Sequence, residues 1–259
     1  MSTLAVSQSK YSTHLQELLM SGHSKWSTIK HKKAKLDNQR GKIFTKYVRE
    51  ITVAAREGGG DPAGNARLRL VLEKAREQNM PQENIIRAIK KGTGELGDGA
   101  MYEAFTYEGY GPHGIAVMVE TLSDNKNRTV SELRHLLVKS GGSLAESGAV
   151  AWMFDKKGVV QAAGSMTEDD LIEKFLDIDI DDLQVHDGMV TITCKPHDLD
   201  ASKKKAQEVG LKVESAQLEW VAKTPLALTD KEAEESVFKL LEGLDDLDDV
   251  QHVFANLGD

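Results

Sequence analysis

The chain of 259 residues holds one cysteine, Cys194. That excludes an intramolecular disulfide and any cysteine-rich zinc site, and it suits a reducing compartment. No apolar run approaches the ~20 residues that a membrane-spanning helix needs, so no membrane partner is expected. Residues 1–20 contain no arginine, and only Lys10 and Glu17 carry formal charge. A mitochondrial transit peptide would be Arg-rich, and a secretory signal would need a charged start and a longer apolar centre. Met20 closely precedes a basic motif, so residues 1–21 read as a loosely ordered extension from an upstream start. No serine occupies a Gly-x-Ser-x-Gly elbow. Cys194, between Thr193 and Lys195, has no nameable partner base and reads as a small strand residue. His23 and His31 lie eight apart with no acid between them, and Asp245, Asp246, Asp248 and Asp249 lack the glycine and ligand order of a calcium loop. The aspartates read as a solvated acidic turn. The expectation is a protein that is not an enzyme, without cofactor or metal.

What is present is ordinary globular composition, 40% hydrophobic and 29% charged, with an uneven charge distribution. From Gly22 to Lys91 there are 17 Lys and Arg against 7 Asp and Glu, net +10, leaving 16 against 34, net −18, elsewhere. Such asymmetry points to a basic module that meets nucleic acid, joined to acidic domains. The acidic domains are expected to face away from phosphate and to be free for basic protein partners.

Periodicity sets an order of elements. Asp37 or Asn38 caps a helix to about Glu57, with Ile43, Phe44, Tyr47, Val48, Ile51, Ala54 and Ala55 on one face. Asp61 with Pro62 predicts the start of a second helix, striped by Leu68, Val71, Leu72 and Ala75. A third begins near Pro81. Gly92 to Gly99 then reads as a flexible joint. Beyond it, strands are predicted at 102–107, 115–121, 149–154, 158–162, 183–186, 189–194, 211–221 and 250–254. Helices are predicted at 127–139, from Thr167, from Asp198 and from Thr229. The fold class is therefore α+β and multidomain: an N-terminal three-helix bundle followed by two small α+β domains with antiparallel sheets. The expected boundaries are 22–97 for the bundle, 98–154 with 219–259 for a discontinuous acidic domain, and 155–218 for a domain inserted in it.

Two strings, Gly92-x-Gly94-x-x-Gly97 and Gly109-x-Gly111-x-x-Gly114, match the glycine pattern of dinucleotide sites. That pattern has force only after a strand and at the opening of a helix. The first follows a helix and the second leads into a β-rich run, so hinge and hairpin are the better readings.

The functional candidate is the basic arm. Between Gly22 and Lys35 lie five lysines, two histidines, Trp26 and no acid. Unpaired ammonium groups are costly to bury, so the segment needs water or a polyanion. Lys25, Lys30, Lys32, Lys33 and Lys35 are expected to neutralise phosphates, with Arg40, Lys42, Lys46 and Arg49 continuing the track along the first helix. Trp26 and His31 are placed to stack on unpaired bases, or, for Trp26, to pack against the bundle with Ile29. Lysine carries charge without a bidentate fork, so affinity with weak sequence discrimination is expected.

The run Gly22-His23-Ser24-Lys25-Trp26-x-x-Ile29-Lys30-His31-Lys32-Lys33 resembles the N-terminal signature of the YebC/PmpR family. The likeness continues through Gly58-Gly59-Gly60-Asp61-Pro62, Asn79-Met80-Pro81, Tyr107-Glu108-Gly109-Tyr110-Gly111-Pro112, Asn127-Arg128-Thr129, Gly148-Ala149-Val150-Ala151-Trp152-Met153-Phe154 and Leu247-Asp248-Asp249-Val250-Gln251. It covers about residues 20–259. The resemblance implies a three-domain cytoplasmic protein with no catalytic residues, described in the family as a probable transcriptional regulator binding promoter DNA. Other members act in translation on ribosomes, one of them the mitochondrial translational activator of cytochrome oxidase subunit one. Three functions follow as expectations: a DNA-binding transcriptional regulator, a ribosome-associated translation factor contacting ribosomal RNA or tRNA, or a protein-interaction module using the acidic domains.

Overall fold

A computed structural model describes residue 26 and residues 40–97, 101–186 and 188–258. The described residues fall into two compact units, one within Thr28–Val150 and Thr229–Ala255, the other within Met1–Ser27 (where only Trp26 is described), Ala151–Leu228 and Asn256–Asp259.

The larger unit begins with three helices, α1 (Arg40–Gly58), α2 (Ala66–Glu77) and α3 (Gln82–Gly92). Ile51, Ala54 and Ala55 of α1 meet Leu68, Leu72 and Ala75 of α2 and Ile85 and Ala88 of α3 in one core, flanked by Phe44, Tyr47 and Val48. These are the stripes that helical spacing marks. The start of α2 differs from expectation. Asp61 caps only a short turn, accepting from the Ala63 amide at 2.9 Å. The helix begins later, where buried Asn65 accepts from Leu68 N at 3.0 Å and donates to Ala54 O and Gly59 O at 2.8 and 2.9 Å. One amide thus closes the end of α1 and the start of α2 together, which an Asp at 61 cannot reach to do.

Of the expected joint, residues 92–97 form a hydrogen-bonded turn, with Thr93 N donating to Ile89 O at 2.9 Å and Glu95 N to Lys90 O at 3.0 Å, and residues 98 and 99 lie outside the described residues. Gly92 lies where α3 crosses α1, and a Cβ there would stand 2.4 Å from Thr52 O and 2.8 Å from Ala55 Cβ. Gly92→Ala is therefore expected to cost about 1–3 kcal/mol by overpacking, read from urea denaturation. An unchanged midpoint would mean that the two helices separate freely.

The same unit continues with β1 (Glu103–Tyr110), β2 (Ala116–Ser123), α4 (Lys126–Lys139) and β3 (Ser143–Leu144). The chain returns to it as α7 (Lys231–Asp245) and β8 (Val250–Ala255). The sheet order is β3-β1-β2-β8, all antiparallel, with Tyr110 opposite Ala116 at the β1–β2 turn. That turn, with Pro112, His113 at φ 59° and Gly114 at φ 78°, is the hairpin expected of the second glycine string. Residues on alternate sides of β2 serve different partners. Val117 and Leu240 of α7 both flank Gly111, whereas Leu122 packs with Tyr102 and Val53 of α1. One face of the sheet thus meets α7 and the other meets the bundle.

The strand expected over 149–154 begins only at Phe154. Glu108, 6% exposed, accepts from the amides of Gly148 and Val150 at 2.6 and 2.7 Å. Those donors are thereby withdrawn from any ladder, and Gly148 turns the chain at φ 90°. A 3-10 turn, Ala151–Met153, follows.

The smaller unit holds β4 (Phe154–Ala163), α5 (Glu168–Lys174), β5 (Ile180–His186), β6 (Met189–Cys194), α6 (Leu199–Glu208) and β7 (Lys212–Ala222). Its antiparallel order is β5-β6-β4-β7. Val160, Ala162, Leu183, Val190 and Ile192 of the sheet pack with Leu171, Phe175 and Ala206 of the helical segments. Two helix starts differ from expectation by small amounts. Asp230, not Thr229, caps α7, accepting from Glu232 N at 3.1 Å, and Asp198 makes no side-chain cap bond to α6. The α+β, multidomain class with antiparallel sheets is what the structure shows.

Candidate nucleic-acid interface

Of the expected arm, Lys25, Lys30, His31, Lys32, Lys33 and Lys35 lie outside the described residues, as does the side chain of Arg40. Trp26 is 4% exposed. A side chain so covered offers no free face to a base as it stands, and Trp26 groups with the unit of Ala151–Leu228 rather than with the bundle.

The helical part of the track is changed by tertiary contacts. Lys42 of α1 pairs with Asp246 at 3.0 Å. Lys46 donates to the Asp245 carbonyl at 2.8 Å and lies 3.2 Å from its carboxylate. Arg49, 8% exposed, stands 3.0 Å from Asp249 and over the Tyr102 ring at 5.5 Å. Arg49 is therefore withdrawn as a phosphate contact, and Lys42 and Lys46 are already neutralised in part. The physical reason is a loop some 200 residues later in the chain, whose aspartates sit against α1. It also corrects the expectation that the acidic segments all face away from the basic helix.

Asp249 itself is the residue most misread from sequence. It belongs to no solvated turn: its side chain is 2% exposed. It receives Thr129 Oγ1 at 2.7 Å, Ser123 Oγ at 2.9 Å and Arg128 Nη2 at 2.9 Å, beside Arg49. Burial pushes this carboxyl upward, but the hydrogen bonds from Thr129, Arg128 and Ser123, with the Arg49 charge, hold it below the ordinary aspartate value. Hydrogen bonds to Asp249 and Asp124 in turn raise the Arg128 guanidinium. The signal was present in the strings Asn127-Arg128-Thr129 and Leu247-Asp248-Asp249, but their meeting could not be read from either one.

Other candidates resolve simply. Gly92 and Gly94 end a helix and shape a turn, without the strand a dinucleotide loop needs. Cys194 is buried with its thiol toward Gly158 O at 3.6 Å, and burial pushes that thiol up, away from nucleophilic reactivity. Among the described residues, no group of three or more His, Cys, Asp or Glu is arranged to hold a metal, and no helix is long and apolar enough to cross a membrane. On the bundle, Arg76 of α2 and Arg87 and Lys90 of α3 are exposed. They add cationic surface beyond the expected track.

Residues 24–95 match the model of the TACO1/YebC protein N-terminal domain, and residues 102–257 match that of the TACO1/YebC second and third domain. The chain belongs to the TACO1/YebC family. A relative from Chlorobium phaeovibrioides, named a probable transcriptional regulatory protein, is 50% identical over 240 residues, covering 92% of this chain and 95% of its own. One from Pelotomaculum thermopropionicum with the same name is 51% identical, covering 92% and 98%. The crystal structure of the conserved hypothetical protein Aq1575 from Aquifex aeolicus superposes with a TM-score of 0.79 at 46% identity, covering 88% of this chain and 94% of that one. The Asp249 cluster and the Glu108 turn both lie within the residues that match the second- and third-domain model.

Proposed function

We propose that this chain is a non-enzymatic regulator of gene expression that grips nucleic acid through its basic N-terminal arm and bundle, with promoter DNA as its target. The relatives' naming as probable transcriptional regulatory proteins supports the regulatory part. The observation that carries the polyanion part is the run of five lysines without an acid between Gly22 and Lys35. With Lys42, Lys46 and Arg49 engaged by aspartates, the main burden of phosphate contact falls on Lys25, Lys30, Lys32, Lys33 and Lys35. Arg40, Arg76, Arg87 and Lys90 supplement them. Asp245, Asp246 and Asp249 are occupied within the larger unit, which weakens the alternative of an acidic docking module.

A second reading, ribosome association, is favoured by the chemistry of the same residues. Lysines contact phosphate without distinguishing DNA from RNA, and no described helix presents Asn or Gln in the pattern of a base reader. The deciding experiment is a competition at fixed salt. A labelled promoter duplex bound to the full chain is displaced with random duplex and with ribosomal RNA fragments. Under the DNA reading, random duplex competes less well than the promoter and RNA competes poorly. If RNA displaces the duplex at lower concentration, the chain is a translation factor. Absence of binding to either would end both readings.

A further inference from the structure

The charge count places positive potential in residues 22–91 and an excess of acid elsewhere, yet a cationic face survives on α4, deep in the acidic segment. This helix carries Lys126, Arg128, Arg134 and Lys139 against one acid, Glu132. At 100° per residue, Ser131, Arg134, His135, Val138 and Lys139 share one face, opposite buried Thr129, Leu133 and Leu137. All five are exposed, Val138 to 61%. Glu132 lies at the rim of that face and is half-buried. Among the described residues neither Arg134 nor Lys139 has an ion-pair partner, in contrast to the neutralised Lys42, Lys46 and Arg49. The same five residues form one continuous open patch.

We infer that this face of α4 is a second contact for the nucleic-acid backbone, extending the footprint beyond the arm; the inference rests on the nucleic-acid reading above. The chemistry favours a sugar-phosphate chain over an acidic protein. A protein interface needs an apolar, aromatic-rich centre, and here one valine stands among charged and hydroxyl groups. Arg134 and Lys139 supply charge, Ser131 and His135 supply hydrogen-bonding groups, and Val138 offers an apolar surface to a sugar. His135 and Lys139 follow Ser131 and His135 at one-turn intervals of about 6 Å, so the groups form a line along which an extended backbone can lie.

The test is charge reversal in the full chain, Arg134→Glu with Lys139→Glu, and the milder Arg134→Gln with Lys139→Gln. The probes are a labelled DNA duplex and a labelled single-stranded oligouridylate, titrated by anisotropy over a salt series. The reversal is expected to weaken binding roughly tenfold or more, the glutamine pair by less. On duplex DNA the slope of log K against log salt should fall by about 0.9 for each phosphate that is no longer neutralised. If wild type binds, an arm variant fails and both α4 variants bind as wild type, the inference is overturned and the proposed function stands. If wild type binds neither probe, both fall. If the α4 variants bind both probes normally but lose binding to a labelled polyglutamate peptide, the face is a protein-docking surface and the inference is wrong. Melting temperatures of the variants, expected unchanged because both side chains are exposed, guard against misfolding, and the glutamine pair keeps the test open should the glutamates unfold the chain.

Discussion

Asp249→Ala is expected to destabilise the larger unit by about 3–5 kcal/mol, because it leaves the buried charge of Arg49 without its counterion. Arg49 and Asp249 have side chains 10% and 2% exposed, so water cannot replace the lost partner cheaply. Arg128, at 42%, can turn to solvent, and the hydroxyls of Ser123 and Thr129 lose one acceptor each. Asp249→Asn should cost less, since it retains shape and one acceptor oxygen. Arg49→Met in the Asp249→Ala background should recover part of the loss, since it removes the orphaned charge. Urea denaturation of wild type, these three variants and Arg49→Met alone measures this. Strict additivity of the two substitutions, or a loss below about 1 kcal/mol for Asp249→Ala, would show that the cluster is not a unit. Stability should also depend on acid. The Asp249 carboxyl is held below its unfolded value, so its contribution is complete above the ordinary carboxylate range, about pH 4. It is lost as pH falls through the lowered folded value, and Asp249→Asn should flatten that part of the profile.

Lys32→Glu with Lys33→Glu should weaken binding to a duplex probe on the order of a hundredfold at low salt. The pair removes two favourable charges and adds two repulsive ones. At roughly 0.7 kcal/mol for each of the four changes, within the range for exposed charges, the sum is about 3 kcal/mol, which is some two orders of magnitude. The slope of log K against log salt should become shallower by about 0.9 for every phosphate the pair had neutralised. Lys42→Gln provides the contrast: its ammonium is 3.0 Å from Asp246, so removing it should change binding little. A double reversal that leaves affinity and slope as in wild type, in a chain with unchanged melting, would remove the arm as the grip. Equal losses for Lys42→Gln and the arm pair would instead restore α1 to the interface.

The two predictions test parts of the chain that differ in how far sequence could reach them. The apolar stripes of α1, α2 and α3 were legible because helical spacing is local: Ile51, Leu68, Leu72 and Ile85 had to share a core once each helix formed. The antiparallel hairpin at 109–114 was legible for the same reason, since turn chemistry acts within a few residues. The segregation of charge and the motif strings that place the chain in its family are likewise properties of the chain as written. What only the tertiary structure decided is which charges meet. Arg49 and Asp249 are 200 positions apart, and no local rule brings the loop after α7 against α1. A charge counted in sequence becomes available to a partner only if the fold leaves it unpaired. Among the described residues the fold pairs Lys42, Lys46 and Arg49 of α1 and leaves Arg134 and Lys139 of α4 without an ion-pair partner, because electrostatics acts through space while composition is counted along the chain.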